Sequence, residues 1–577
     1  MRQFLSRQLN IRPDEWPRVT LLYVLSFTYV VGIIWATIAL HAAFLEQVGA
    51  EYLPLFFVVK ALLSMPAVAL YTAVADRWSP ERLFILIFLS SVAAFALGLG
   101  LLAAPFGGRG LLIAFMYLIV FIPLSDIQAI HWNTYVNHFY DTRAARRIIP
   151  VLVTAFGIAS VVAGEGLALL TRRGWDTLHI VLASMGLLLL TAVLIALSTR
   201  LLRHQPAPET AVPPASSYRA SLREGYRYVL NSPFLRWMAL AVFILMVLFT
   251  FSDYVISQTL AIQLTESEIT RFLGRLTSIT NLLLLPVQIL FLNRLVGRIG
   301  LGNANLLFPL TNLAAAGTLF LAPARLWPAA VAQANRVYLY GSVGYPLHNL
   351  LYNAVPLRIK GRARAFIGGL VTPVGMLIGS ILLQSLQLLD PSIRYAVLSS
   401  LIAGLSVAYA LVSLVLRRQY ARALIAMLEQ EDYTFLLNRE AADLRVTDPA
   451  ALRSLAQKLA ASRRPELTTF LVRLLADVGG GSALPILLPA IRGSDPAIRA
   501  TLLETLAAAG LRGEATRQLY QDHLLAPDPA VRRAALTGLA RWHGPESAAF
   551  HATAVQMLHD PDVAVRLAAL PGLLRAA

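Results

Sequence analysis

Apolar runs of nineteen residues or more recur through the first 416 positions, separated by short stretches of arginine, glycine and proline. Runs of that length cross the hydrocarbon core of a bilayer as helices. Spans are predicted near 17–40, 53–75, 83–104, 111–135, 148–170 and 177–199, and again near 234–258, 272–293, 304–322, 327–352, 365–387 and 394–416. Between the two sets, 200–233 is rich in Pro and Ser and then basic, which predicts a linker leading into an amphipathic helix. Past Arg418 the pattern changes to Ala- and Leu-rich helix formers with Arg and Asp on one face and no spanning run. The predicted fold class is all-α: a polytopic membrane bundle of six spans, a linker and six more, then a soluble tail.

Composition strengthens this reading. The 577 residues are 57% apolar and 14% charged, against about 45–50% and about 25% in ordinary soluble domains. A soluble enzyme or DNA-binding protein of this size has no means of covering so much apolar surface. The net charge of +17 does not point to nucleic acid, because the arginines lie mostly in the short loops. Nineteen Lys and Arg residues fall on the N-terminal side of the spans, among them Arg2, Arg77, Arg143 and Lys360, against six on the other side. That bias predicts both termini and the linker in the cytoplasm. The chain has no cysteine, which excludes disulfides and thiolate metal sites. It shows no P-loop, GxSxG or HExxH, and its histidines lack metal-ligand spacing. No enzyme, cofactor or metal is expected.

The two sets of spans repeat each other. Asp76-Arg77 in the loop AVADRWSPERLF corresponds to Asn293-Arg294 in LFLNRLVGRIG, 217 residues on. ARRIIPVLVTAFGIASVVAGEGL matches ARAFIGGLVTPVGMLIGSILL at an offset of 218, which superposes Arg146 on Arg364, Thr154 on Thr372 and Gly157 on Gly375. Duplicated six-span halves mark a major-facilitator-like transporter, with its solute site between the halves near the midplane.

Three segments carry a family likeness. GAEYLPLFFVVKALLSMPAVALYTAVADRWSPERLF at 49–84, DTRAARRIIPVLVTAFGIASVVAGEGL at 141–167 and LYNAVPLRIKGRARAFIGGLVTPVGMLIGS at 351–380 resemble the ATP/ADP translocase (nucleotide transporter) family. The resemblance covers roughly residues 10–416. It implies a twelve-span carrier that exchanges or imports nucleotides. The sequence departs from the family in two places. The first span, VTLLYVLSFTYVVGIIWATIAL, has no Lys or Arg where nucleotide-transporting members carry one, and Lys60 sits a few positions late. Lys60, Arg336 and one of Arg271 or Arg275 form a thin basic set for a nucleoside triphosphate, since each buried charge needs a partner.

Ionisable residues inside spans are costly to insert and are therefore the candidates for function. Asp126 lies in the fourth span with Asn133 seven residues on along the same face, flanked by Gln128 and His131. The tenth span is the most polar, and Arg336, Tyr340 and Asn349 are expected to line one side of it. Substrate binding is assigned to Lys60, Asp126, Asn133, Arg336, Tyr340 and Asn349, and coupling to Asp126, Glu165 and Asp253. A competing reading pairs Arg336 with Asp126 or Asp253, and another places Glu165 and Asp253 in water near the outer end. Asp76, Arg77, Arg146 and Arg364 are assigned to a cytoplasmic latch.

In the tail, DPAIRATLLETLA at 495, DPAVRRAALTGLA at 528 and DPDVAVRLAALPGLL at 560 recur with Asp spacings of 33 and 32, and a looser copy starts at Asp448. Asp is expected to cap each helix, with Pro in its first turn and a following Arg pairing with a neighbouring repeat's Asp. The pattern is similar to HEAT repeats, which imply an α-solenoid that binds a protein partner. The predicted domains are a cytoplasmic segment 1–16, six-span bundles 17–199 and 234–416, the cytoplasmic linker 200–233 and a cytoplasmic HEAT-like domain 421–577. The whole reads as a carrier of a small anionic solute, such as a nucleotide or phosphorylated metabolite, in a bacterial inner membrane. The alternative is a carrier-derived scaffold that no longer transports and presents its repeats to a protein complex.

Overall fold

A computed structural model describes residues 15–75, 77–103, 108–139, 142–202, 226–429, 459, 471–472, 475, 483–508, 510, 513–543 and 547–570. Residues 203–225 of the predicted linker, the repeat start at Asp448 and the latch residue Asp76 lie outside these. The chain divides into two compact units, Met1–Asn293, Asn305–Leu350 and Arg358–Leu416 in the first, and Arg294–Ala304, Leu351–Leu357 and Arg417–Ala577 in the second.

The first unit is helical throughout. Its first half contains α1 (Trp16–Gln47), α2 (Leu53–Ala75), α3 (Pro80–Ala103), α4 (109–139), α5 (Thr142–Arg172) and α6 (Thr177–Leu202). Its second half contains α7 (Pro233–Gln263), α8 (266–291), α9 (Leu307–Leu321), α10 (326–351), α11 (357–386) and α12 (Pro391–Glu429), the last continuing past Leu416 into the second unit. Local sequence sets the starts. Pro233 opens α7 behind an Ser232 cap whose Oγ accepts from the Leu235 N–H at 3.4 Å, and Thr265 and Glu268 form a capping box at the start of α8.

Ten helices among the described residues are long and apolar enough to cross a membrane, where twelve were expected. The two that fall short are α8 and α10. Both are helical over the predicted spans, and both hold polar side chains whose partners lie on other helices.

Helix contacts repeat with a step of six. α1 packs on α5 and α7 on α11; α3 packs on α4 and α9 on α10; α2 meets α4 and α8 meets α10. Across the halves, α5 packs on α8 and α11 on α2, and α1 meets α8 as α7 meets α2. The internal duplication is thus present in the packing.

Four helices carry π segments: Ile122–Ile127 in α4, Val287–Phe291 in α8, Ala334–Gly344 in α10 and Ile367–Val371 in α11. A π turn leaves the regular backbone ladder and re-aims side chains, and such turns concentrate at functional sites. Asp126, Arg336 and Tyr340 all lie in them.

In the second unit, α13 (Leu484–Arg492), α14 (Pro496–Ala508), α15 (Glu514–Asp522), α16 (Pro529–His543), α17 (Ala548–Met557) and α18 (Val563–Ala569) follow in short pairs. The even helices stack on one another, α14 on α16 and α16 on α18, and α13 packs on α15. The repeat register differs from the expectation at its third copy. Asp528 accepts from the Ala530 N–H at 2.8 Å, and the matching cap is Asp562, which accepts from Ala564 and Val565 at 2.8 and 3.4 Å. The spacing is therefore 33 and then 34. Asp560, two residues before that cap, accepts from the Asp562 N–H at 2.8 Å and receives Arg532 of the preceding copy at 2.7 and 2.8 Å.

Candidate functional site

Lys60 of α2 lies within electrostatic range of three other charged side chains in the helices of the first unit, Asp126, Asp253 and Arg336. On α10, one guanidinium nitrogen of Arg336 pairs with Asp253 of α7 and also donates to Gln333 Oε1 at 2.9 Å. Its Nε–H has no acceptor among the described residues, so the guanidinium keeps donor capacity beyond the pair. On α2, Lys60 is buried and sets its ammonium 3.9 Å above the Phe121 ring of α4. One turn on, Ser64 Oγ donates to Asp126 Oδ2 at 3.3 Å.

A histidine ties the halves together beside this cluster. On α1, His41 Nδ1 lies 2.5 Å from the Tyr117 hydroxyl of α4, and Nε2 lies 3.3 Å from Ser257 Oγ of α7. Asp253 and Arg336 both act electrostatically on this imidazole. Its tautomer follows from which hydroxyl donates.

The seam closes further at the end of the bundle away from Trp16. Glu266, the first residue of α8, accepts from Gln47 Nε2 at 3.1 Å and from Thr177 Oγ1, while its own N–H donates to Glu46. Gln387 Nε2 donates to the Glu51 carbonyl at 2.6 Å. Nearby, α5 and α8 cross with Gly164 against Gly274, and Ser278 Oγ donates to the Val161 carbonyl at 2.5 Å. A Cβ at Gly164 would overlap the Gly274 carbonyl oxygen. This crossing requires glycine.

The expected site residues separate on this geometry. Lys60, Asp126, Arg336 and Asp253 form the cluster, and Arg336 is paired with Asp253 as the competing reading had it. The Asp253 side chain is 15% exposed and held on Arg336. Tyr340 leaves the expected lining. Its ring packs 5.1 Å from Phe249 and 5.0 Å from Phe308, inside the second half. Tyr338, like Tyr117, lies within electrostatic range of Arg336, and it shares a 2.5 Å hydrogen bond with Thr277 of α8. Asn335 donates to Asn312 at 3.2 Å, and Asn312 to Ser406 at 3.0 Å, joining α10, α9 and α12. The polar residues of α10 therefore point several ways and do not share one lining.

Glu165 is exposed and stands apart from the cluster. His131 is structural: Nε2 donates to the Pro80 carbonyl at 2.7 Å, which leaves Nδ1 to meet the Tyr71 hydroxyl at 2.9 Å. Of the latch, Arg77 is exposed, and Arg364 is exposed with its guanidinium on the Asn349 carbonyl at 3.5 Å. Asn349 is half-buried. The side chains of Asn133 and Arg146 lie outside what the structure describes. Among the described residues, no three His, Asp or Glu side chains converge as a metal site would need.

Sequence reasoning missed His41, Tyr117, Ser257 and Glu266. His41 falls one position past the predicted end of the first span, yet α1 runs on to Gln47. The available signal was a lone histidine continuing a run otherwise free of charge.

No family model and no curated protein matches the chain. Among solved structures, the chain is similar to crystal structures of the nucleoside transporter NupG and of a point mutant of it. Their TM-scores are 0.50 and 0.51 and their identities 13% and 12%; each match covers 69% of this chain, and 98% and 99% of those chains. A bacterial homologue of the iron transporter ferroportin in an inward-facing state gives a TM-score of 0.48 at 14% identity, covering 70% of this chain and 98% of that one. The likeness to the NupG structures is one of fold alone.

Proposed function

We propose that the protein is a secondary transporter that moves a small solute bearing an anionic group by alternating access across a bacterial inner membrane, with both termini cytoplasmic. The observation that carries this reading is the cluster of Lys60, Asp126, Asp253 and Arg336 inside a bundle whose halves repeat each other's contacts. Charges in such positions are too costly to keep without a use. The same cost argues for twelve crossings, because the polar groups of α8 and α10 meet partners on neighbouring helices. A retired scaffold has no need for the buried polar chain from Tyr117 through His41 to Ser257. Pairing of Arg336 with Asp253 favours a solute of low net charge over a nucleoside triphosphate.

The second unit is read as HEAT-like repeats that dock a protein partner or regulate the carrier. Stacked helix pairs and the Arg532–Asp560 bridge between successive copies support it.

Alternating access requires the seam at Glu266 to open. The chain has no cysteine to remove, so Tyr52→Cys with Leu388→Cys places spin labels on exposed positions of the two halves at that end. Double electron–electron resonance in nanodiscs should give two distance populations. One short distance at every pH and in every lipid tested would refute transport and restore the scaffold reading.

A further inference from the structure

We infer that the solute is dipolar, carrying one anionic and one cationic group, with Lys60 receiving the first and Asp126 the second. The inference rests on the transporter reading above and refines its substrate class.

Lys60 and Ser64 are four residues apart on α2 and so share a face. The Ser64 hydrogen bond brings Asp126 of α4 over that face. Phe121, five residues before Asp126, lies under the Lys60 ammonium. The two opposite charges thus occupy neighbouring turns of one helix interface and act on each other electrostatically. They do not meet as an ion pair among the described residues. Buried opposite charges ordinarily close on each other, since an unpaired buried charge is costly. Here each is held by a different partner: Lys60 by the Phe121 ring, Asp126 by Ser64 and by its place in the π segment Ile122–Ile127.

The other two charges of the cluster behave differently. Asp253 and Arg336 are closed on each other, and both lie within electrostatic range of Lys60. The four charges sum to zero. A net anion would satisfy Lys60 and leave Asp126 uncompensated and repelled; a net cation would do the reverse. A dipolar solute pairs both and leaves the interior neutral. An amino acid, a dipeptide or a betaine has this chemistry, and the guanidinium donors left on Arg336 are placed for further acceptors of the same solute.

The test uses the full-length protein in detergent micelles and three matched sets of probes. These are pooled amino acids, dipeptides and betaines; their N-acetylated or otherwise anionic counterparts; and their amides or esters as cations. A binding pool raises the melting temperature by mass action, and calorimetry on its members gives Kd. The dipolar set alone should bind. Lys60→Gln and Asp126→Asn should each weaken Kd by about 30-fold or more, the usual result of removing one member of a desolvated charge pair. Should Asp126→Asn fail to fold, Ser64→Ala frees the carboxylate while keeping its charge, and should still weaken binding.

Binding confined to the anionic set, weakened by Lys60→Gln alone, would overturn the dipolar inference and leave the transporter standing. No binding from any set would also overturn it, and the spin-label distances then decide whether transport falls as well.

Discussion

The Arg336–Asp253 pair lends itself to a double-mutant cycle. Its side chains are 18% and 15% exposed, so values for surface ion pairs, about 0–1 kcal/mol, do not apply. At an effective dielectric of about 20, unit charges about 4 Å apart attract by about 4 kcal/mol. Desolvation offsets much of this, so the pair's net contribution is small. Removing one member is different, because the other then stays buried and uncompensated at a cost of about 3–5 kcal/mol. Asp253→Asn leaves Arg336 its bond to Gln333, which puts the expected loss near the lower bound, about 3 kcal/mol. Arg336→Gln should lose a similar amount. The double variant, with both charges gone, should lose no more than about 1 kcal/mol, giving a coupling of several kcal/mol between the positions. Titration with SDS in mixed micelles, followed by far-ultraviolet circular dichroism, measures each corner of the cycle. Additive losses, with the double variant near the sum of the singles, would show that the two side chains act independently and would refute the buried-pair argument.

Three further outcomes are expected. Gly164→Ala forces a methyl group into the Gly274 carbonyl and should cost about 1–3 kcal/mol in the closed seam; with labels at positions 52 and 388, resonance distances should shift toward the longer population. Gly538→Ala in α16 drives a methyl group into the Tyr520 ring of α15, and hydrogen exchange should accelerate in α15 and α16 while α1–α12 remain unchanged. In the same unit, Arg532 holds the Asp560 carboxyl below its ordinary value of 3.8. A depressed native value means that this stabilisation is complete above about pH 4 and is lost as pH falls through the native value. The exchange difference between wild type and Arg532→Gln should therefore be full at pH 7 and shrink below pH 4.

The spans were legible because a bilayer imposes length and apolarity on each helix separately, and most boundaries could be read from arginine, glycine and proline alone. α8 and α10 did not pass as apolar spans because their polar groups are matched by partners far away in sequence, such as Tyr338 to Thr277. Which face of α10 meets which neighbour was not legible. Tyr338 and Tyr340 are two residues apart in a polar run, and the π segment shifts the helical phase on which such a choice depends. His41 was lost to a boundary placed seven residues before the helix ends. The third repeat was misaligned because Asp560 and Asp562 both flank Pro561, and only the hydrogen bonds tell the cap from the ion-pair partner. The cluster's members were readable from their cost in a membrane, but their pairing was not.

The π segments also bear on how the two halves diverged. A π turn holds one residue more than the α turn it replaces, so a helix can take up an added residue there without breaking. The offset between the halves is 217 at Asp76 and Asn293 but 218 at Arg146 and Arg364. The two copies therefore differ by one residue between those points, a stretch that in the second copy contains α9 and α10. The π segment there runs eleven residues, against six in α4. A residue added to a regular α-helix would turn every later side chain by about 100°, which a π turn avoids by taking the residue up locally. The two halves can therefore keep matching helix contacts while their interiors differ, with Arg336 meeting Asp253 of α7 in one and Asp126 meeting Ser64 of α2 in the other.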